Sequence, residues 1–490
     1  MQSVVEVTKI CFSFFIKNIM LINLLFAVII VFFERKSPKS VWAWLLLLLF
    51  MPVVGFAFYL LLGTDMHKRK LFRIKEVEDN FHNVLRRQEQ VIKNVDMDIV
   101  DSEFSKFADL ALYNMKTSGA ILSDDNSVDI FVNGDMLFEQ MMEDMKGAEE
   151  FIHVQSYILR NDILFERIVN VLREKARQGV EVRVLFDAMG CRTIRKKFWR
   201  KLNAEGIETA EFFPAVFRRF HLRMNYRNHR KIIVIDNRVG YVGGFNIGKE
   251  YIGLDDKFGN WRDTHLRITG GGVLGLQLRF LLDWNYAARQ NLFSVSKYYD
   301  TFFSDGREGC KLQIISSGPD QTDKPIRDNY LRLIHKAKKS IYIQTPYFVP
   351  DEAILDSLLI AIRSGVDVNI MIPCKPDHPF VYWATYSYIG DLVMAGAKCY
   401  TYDNGFLHAK GMIVDGMVLC YGTANMDIRS FCLNFEVNTI IYDEKAASLM
   451  QECFIRDLEF CTRISKDTYM GRSLSVKFKE QVSRLMSPLL

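Results

Sequence analysis

Nine cysteines in 490 residues are few, irregularly spaced and odd in number, and neither a Cys-x-x-Cys pair nor a histidine cluster accompanies them. A disulfide framework and a zinc site are therefore not expected. A large charge imbalance is also missing: at +5 the chain is no polycation. Two long stretches near the start lack charge as well. Cys11 to Phe33 holds only Lys17, and Val41 to Leu62 holds none. At about 1.5 Å per residue, either could cross a hydrocarbon core of about 30 Å as a helix. Glu34 to Ser40, with Pro38 inside, links them, and no small-x-small cleavage site precedes the second stretch. Residues 1–65 are thus predicted to form a two-helix transmembrane hairpin rather than a signal peptide. Trp42, Trp44 and Tyr59 lie where interfacial aromatics belong, and Pro52 falls mid-span. Lys68, Arg69, Lys70, Arg73 and Lys75 outnumber Arg35, Lys36 and Lys39 of the link, which favours a cytoplasmic location for the remainder of the chain.

What the chain does contain is a repeat. His229-Arg230-Lys231, Asp236 and Gly243-Gly244-Phe245-Asn246 recur at one constant offset as His408-Ala409-Lys410, Asp415 and Gly422-Thr423-Ala424-Asn425. A lone His-x-Lys arises by chance; five positions twice in register do not. Each motif opens an apolar run, Ile232-Ile233-Val234-Ile235 or Met412-Ile413-Val414, that stops at a polar turn, Asp236-Asn237 or Asp415-Gly416. Each reads as a strand folding back on itself. Residues two apart share a strand face, so His229 and Lys231 point the same way, as do His408 and Lys410. A turn about Asn237-Arg238 places Asn246 opposite His229 and Gly244 opposite Lys231. A turn about Gly416-Met417 places Asn425 opposite His408 and Thr423 opposite Lys410.

Each hairpin is then predicted to gather an imidazole, an ammonium and an amide, with a small residue leaving room for a ligand. That is an anion site with a titratable group in it, and a phosphodiester suits it. One neutral histidine can attack phosphorus, while a second, across a pseudo-twofold, supplies the departing alcohol with a proton. The lysines supply the positive charge, so no metal or other cofactor is expected. Asp236 and Asp415 sit at the turns, remote from the histidines, and read as caps on nearby amides.

These residues resemble the phospholipase D superfamily and, within it, the bacterial cardiolipin synthases. Arg227 through Lys231, Gly243 through Gly248, Trp261 through His265, Gln344 through Pro350, Lys375 through His378, Gly405 through His408, Asn425 through Ser430 and Leu433 through Glu436 carry the resemblance, which covers nearly the whole chain. Lys249 departs from it, standing where the family more often has an acid. The resemblance implies a sheet flanked by helices in each half, with the active site at their junction. It implies phosphatidyl transfer between two phosphatidylglycerol molecules, giving cardiolipin and glycerol through a phosphohistidine. It casts His229 as nucleophile and His408 as general acid, then base, with Lys231, Lys410, Asn246 and Asn425 around the phosphate. Asp263 and Glu436 match the carboxylates that partner the imidazoles, and family convention adds Asp236 and Asp415 to the catalytic set. The implied partners are anionic phospholipid, as donor and acceptor, and a bacterial cell membrane, with no nucleic acid. The rivals are hydrolysis of the same intermediate by water, and a silent lipid-binding scaffold. A scaffold would be expected to have lost a motif His or Lys, and none is missing.

The repeat extends further. Phe151-Ile152-His153-Val154-Gln155 parallels Ile341-Tyr342-Ile343-Gln344; helical patterns follow through Ile168, Val171 and Leu172, and through Ile354, Leu355, Leu358, Leu359 and Ile362. Each ends at a glycine, Gly179 or Gly365, before a strand over 180–186 or 366–372. Strand–helix–strand twice over predicts a duplicated α/β fold: a charged helical connector over 66–130, one domain over 131–300 and another over 301–490. Arg192, Arg195, Lys196, Lys197, Arg200 and Lys201, followed by Arg218, Arg219, Arg223 and Arg227, form a basic run suited to anionic headgroups.

Overall fold

The computed structural model describes residues 2–32, 38–59, 104–213, 226–298, 309–321, 323–375 and 377–487, leaving aside the side chains of 2–12, 14–16, 39–40 and 57–58. The first half supplies β1 (Leu122–Phe131), β2 (Phe151–Ser156), β3 (Glu181–Asp187), β4 (Ile207–Phe212), β5 (Arg227–Asn228), β6 (Ile232–Ile235), β7 (Val239–Gly243), β8 (Trp261–Arg262) and β9 (His265–Thr269). The second supplies β10 (Cys310–Ser317), β11 (Ser340–Gln344), β12 (Phe348–Val349), β13 (Asp367–Pro373), β14 (Lys398–Tyr402), β15 (Phe406–Leu407), β16 (Gly411–Val414), β17 (Val418–Gly422), β18 (Met426–Asp427), β19 (Asn434–Tyr442) and β20 (Cys461–Ile464). In space the halves run β4-β3-β2-β6-β7-β9-β1 and β14-β13-β11-β16-β17-β19-β10, the same order strand for strand, with β20 added at one edge. They join where β1 and β10 pair antiparallel, Leu122 opposite Gln313. The fold is thus mixed α/β and duplicated, as the sequence predicted.

The duplication follows from local sequence. Helix Ile163–Arg177 carries the chain from β2 to the parallel β3, and helix Glu352–Arg363 carries it from β11 to the parallel β13. Both begin at an aspartate: Asp162 accepts the Leu164 and Phe165 N–H groups at 3.1 and 3.2 Å, and Asp351 accepts Ile354 N–H at 3.1 Å. Ile168 and Leu172, like Ile354 and Leu358, turn inward and are buried in separate apolar clusters, one per half. β1 begins at Leu122, inside the stretch read as a connector, of which 66–103 lies outside the described residues. So do Arg218, Arg219 and Arg223 of the basic run; Arg192, Arg195, Lys196, Lys197, Arg200 and Lys201 are exposed.

The motif hairpins differ from expectation by one residue. Asp236 and Asn237 occupy the turn at φ 51° and 52°, and Asp415 and Gly416 at 55° and 67°. Arg238 N–H donates to Ile235 C=O at 2.9 Å, and Met417 N–H to Val414 C=O at 3.0 Å. The ladder then pairs Ile235 with Val239 and Val414 with Val418, so Arg238 and Met417 are extra. A turn about Asn237-Arg238 would put an arginine at positive φ; Asp, Asn and Gly tolerate that conformation far better. Lys410 C=O consequently accepts from Gly422 N–H at 3.3 Å, and neither asparagine faces its histidine across a ladder.

The N-terminal helices belong to a unit separate from the one that carries the strands. Gln2–Phe32 is one helix, but the second apolar run is cut into Pro38–Phe50 and Pro52–Phe58. Pro52 has no N–H to give Leu48 C=O. Asn23 of the first helix supplies the missing donor at 2.9 Å and also reaches Pro52 C=O at 3.0 Å. Among the described residues no helix is long and apolar enough to cross a membrane. The two uninterrupted spanning helices expected from the sequence are therefore not seen, and proline is the physical reason in the second run. Of the charged residues that favour one orientation, those within 34–37 and 68–75 lie outside the described residues, as does the side chain of Lys39.

Candidate active site

β5 and β15 lead into the two His-x-Lys motifs, and each is held by the opposite half. β5 lies parallel to the start of β19, with Asn228 beside Phe435; β15 lies parallel to β8, with Leu407 beside Arg262. The next bonds continue the pattern: His229 N–H donates to Phe435 C=O at 2.9 Å, and His408 N–H to Arg262 C=O at 2.7 Å. The residues after those carbonyls are Glu436 and Asp263. Each imidazole thereby meets a carboxylate from the other half, His229 Nδ1 at 3.0 Å from Glu436 and His408 Nδ1 at 2.6 Å from Asp263. The sequence marked both carboxylates but not this crossing.

Hydrogen bonding distinguishes the two histidines. His229 Nδ1 has a second neighbour, Thr423 C=O, at 3.2 Å. A carboxylate and a carbonyl only accept, so Nδ1 carries the proton and Nε2 presents a bare lone pair. His408 Nδ1 lies between Asp263 and the Lys410 ammonium, which is 2.9 Å away. Glu436 is steadied by the Thr423 hydroxyl at 2.6 Å and the Asn434 amide at 3.1 Å, Asp263 by Thr264 N–H at 2.7 Å. A Cβ at Gly244 would fall 1.9 Å from Asp263 Oδ1. The space expected to admit a ligand at Gly244 is filled by that carboxylate instead.

Both lysines fold back to the backbone, Lys231 Nζ donating to His229 C=O at 2.8 Å and Lys410 Nζ to His408 C=O at 2.5 Å. Burial pulls Lys231 down to about 7, with Glu436 opposing and Lys410 adding to the fall. Burial likewise brings Lys410 to about 8 against Asp263 and Glu436. His229 is held below its ordinary value by burial, with Glu436 opposing and both lysines assisting. His408 falls to about 4 through burial and Lys410, with Asp263 opposing and Lys231 assisting. Each histidine thus responds to the other half's lysine: the two motifs share one site. Burial acts to raise Glu436 and Asp263, yet the His and Lys groups keep both below the usual carboxylate range.

The other predicted residues have structural partners. Asn246 Oδ1 accepts Ile158 N–H at 3.1 Å and its amide donates to Tyr251 at 3.2 Å. Asn425 donates to Asp427 at 3.2 Å, and its buried Oδ1 has no hydrogen-bond partner among the described residues. Asp236 binds the N–H groups of Glu149, Glu150 and Phe151 at 2.7, 2.9 and 2.7 Å. Asp415 binds those of Lys338, Lys339 and Ser340 at 2.8, 2.7 and 2.9 Å. The structure does not bring these two aspartates to the histidines; instead of capping their own turns they hold the entry to β2 and β11 through amides far away in sequence.

Sequence reasoning missed the layer beneath. In the first half Arg230 pairs with Asp283 at 2.7 Å, and Gln155 donates to the same carboxylate at 2.6 Å. Beneath the second motif Arg262, from β8 of the first half, pairs with Asp457 at 2.7 Å, and Gln344 donates to that carboxylate at 2.9 Å. The repeated glutamines, one at the end of each parallel strand, were the available signal. Among the described residues no group of His, Cys, Asp and Glu could hold a metal ion.

The chain is similar to known proteins over nearly its whole length. The family model "Cardiolipin synthase, PLD-like domain" matches residues 141–257 and 330–458, and "Phospholipase_D-nuclease N-terminal" matches 21–63. Cardiolipin synthase 2 of Staphylococcus epidermidis is 47% identical over 96% of each chain. A cardiolipin synthase of Staphylococcus aureus is 48% identical over 96% of this chain and 95% of its own. The crystal structure of phosphatidylserine synthase from Haemophilus influenzae, 14% identical, shares the fold with a TM-score of 0.57, covering 78% of this chain and 97% of that one.

Proposed function

The chain belongs to the phospholipase D-like cardiolipin synthases, and from that membership together with the crossed histidine–carboxylate pairs we infer that it is a phosphatidyltransferase making cardiolipin. Its substrates are phospholipids, with phosphatidylglycerol as both donor and acceptor. The crossed pairs carry the reading, because they equip two histidines around one site. Charge balance assigns their states. Lys231 and Lys410 offset Glu436 and Asp263, so a bound phosphodiester leaves one negative charge for one protonated imidazole to match.

His229, with Nδ1 committed to two acceptors, is the nucleophile. Its Nε2 bonds to phosphorus as the P–O bond to glycerol breaks, and His408 gives that oxygen a proton. The acceptor's glycerol hydroxyl then passes its proton to His408, forms the new P–O bond and releases His229. Lys231 and Lys410 neutralise the phosphoryl oxygens, with Asn246 and Asn425 supporting them. Asp236 and Asp415 hold the strands that carry the site. The division into 131–300 and 301–490 belongs to the same reading.

The enzyme works at a membrane. Leu21, Leu24, Leu25 and Phe32 of the first helix, and Trp42, Leu49 and Phe50 of the second, are exposed, and apolar surface of that kind suits lipid. We assign the N-terminal segment to embedding in the bacterial cell membrane, multi-pass, with the catalytic part cytoplasmic.

Lipid mass spectrometry of a cardiolipin-free host expressing the wild type, His229→Ala or His408→Ala tests the function. Cardiolipin from the wild type alone is the expected result. Phosphatidic acid without cardiolipin would overturn transfer in favour of hydrolysis.

A further inference from the structure

The helix Leu474–Leu485 is amphipathic in the reverse sense. At 3.6 residues per turn, Leu474, Phe478 and Leu485 fall within about 40° of one another. They are 83%, 71% and 83% exposed. The opposite face carries Glu480 and Ser483, both buried. Glu480 accepts Arg472 Nε at 2.7 Å, Arg484 pairs with Asp391 at 2.7 Å, and Arg484 also donates to the Ser387 hydroxyl at 3.3 Å. A surface helix in water turns its apolar residues inward and its charges outward. This one is fixed to the protein through polar contacts and offers leucine and phenylalanine to the outside.

The helix it packs on, Pro379–Ala395, starts beside the active site. Its Thr385 hydroxyl accepts Phe348 N–H of β12 at 3.0 Å, and Phe348 pairs with Met426, the residue after Asn425. Asp377, just ahead of the helix, accepts the Tyr347 hydroxyl. Lys479 Nζ lies 5.2 Å from the Trp383 ring centre, and the Arg484 guanidinium 4.3 Å from that of Tyr388. The two helices therefore run in the same direction. Leu474 lies toward the end near the site, where Phe380 is exposed as well.

The size and charge of the stripe decide what covers it. A stable protein interface takes about 20–30 residues a side, far more than Leu474, Phe478 and Leu485 offer with exposed Phe380 and Met470. A few apolar side chains are enough for a helix lying in the headgroup layer, where neighbouring basic residues meet anionic lipid. Lys477 and Lys479 stand on this helix with no carboxylate partner among the described residues, and its one acid, Glu480, is taken by Arg472.

We propose that Leu474–Leu485 is an interfacial helix, whose outward stripe enters the acyl boundary of an anionic bilayer and seats the active site at the headgroups. A lipid substrate then reaches the histidines with its tails still in the membrane. The proposal rests on the reading above for a phospholipid substrate and adds to it the surface through which that substrate is delivered.

The test places p-benzoylphenylalanine at Phe478 in the full chain, reconstituted in vesicles of phosphatidylglycerol and phosphatidylcholine in equal parts. Illumination is expected to add one phospholipid to the peptide that holds residue 478, at several times the yield given by the same group in place of the exposed Glu174. Capture of a second copy of the chain, or a lipid yield no higher than at Glu174, would overturn the proposal. Leu474→Ser/Phe478→Ser/Leu485→Ser removes only exposed apolar groups. It is expected to slow transfer from vesicles by about tenfold or more, as lost burial of three apolar side chains implies. Transfer from dihexanoyl phosphatidylglycerol below its micelle concentration should be unchanged. An equal fall on both substrates, which marks a defect of folding, would overturn the proposal, and so would undiminished transfer from vesicles. Lipid capture needs no turnover, so a wild type that captures lipid at residue 478 and makes no cardiolipin would overturn the transferase reading and uphold this surface.

Discussion

The two halves share a strand order, a turn and a capping aspartate, yet they provide the same buried guanidinium by different routes. In the first half it comes from Arg230, between the motif His and Lys, and its neighbour across the strand pair is Phe435 at 5.4 Å. In the second half the motif position is Ala409, and the guanidinium is lent by Arg262 of the first half, the counterpart of Phe435. Both reach an aspartate on a helix, Asp283 or Asp457, shared with a glutamine at the end of β2 or β11. The pseudo-twofold therefore preserves the place of a charged group rather than the residue that bears it. Matching one half to the other letter by letter finds the His, Lys and Asp and overlooks this pair.

The largest test of the comparison addresses the histidines. Loss of either is expected to cost on the order of 10⁴-fold in cardiolipin formation. With a nitrophenyl phosphodiester, whose leaving group needs no proton, His408→Ala should retain a burst of nitrophenol and His229→Ala none. A burst from His229→Ala instead would exchange their roles.

Next come the guanidiniums. Arg230→Ala and Arg262→Ala each strand a buried carboxylate, at a cost of about 3–5 kcal/mol. Thermal unfolding in detergent should show similar losses for the two, and a small loss for either would break the equivalence of the halves. A smaller effect is expected from Asp236→Ala and Asp415→Ala, about 1–3 kcal/mol each for three amides left without an acceptor. Activity per folded molecule should change little, and a large fall in kcat would return these aspartates to the chemistry.

The finest contrast is between the lysines. Each is charged below its lowered value and loses its proton as pH rises through about 7 at Lys231 and about 8 at Lys410. Anion binding is strongest while both are charged, so kcat/KM should fall by up to about tenfold per pH unit above that range. Lys231→Arg should remove the lower step and leave the one near 8.

Much of this was legible because it is local. The β-branched runs after each His-x-Lys, the apolar spacing of Ile168 and Leu172, and the glycines that end helices, Gly179 and Gly365, all act within a few residues. The crossed pairing was not. His229 meets Glu436 only because β5 lies against β19, and no local rule places those strands together. The hairpin register differs from the expected one by one residue because Asp236, Asn237 and Asp415 take the positive φ of the turn more readily than Arg238 or Met417 would. The arginine exchange was hidden because a strand pair can deliver a side chain from either member. The interrupted second apolar run was foreshadowed by Pro52, but its repair by Asn23 requires the first helix alongside.

The crossing also orders events in time. A chain is made from its first residue to its last, and His229 emerges long before Glu436, the acceptor that sets its tautomer. His408, by contrast, finds Asp263 already made. The nascent chain therefore carries an unpaired imidazole until β19 has been synthesised and has docked on β5. The arrangement that unites two half-sites into one also keeps a partial product from acting before both halves have been made.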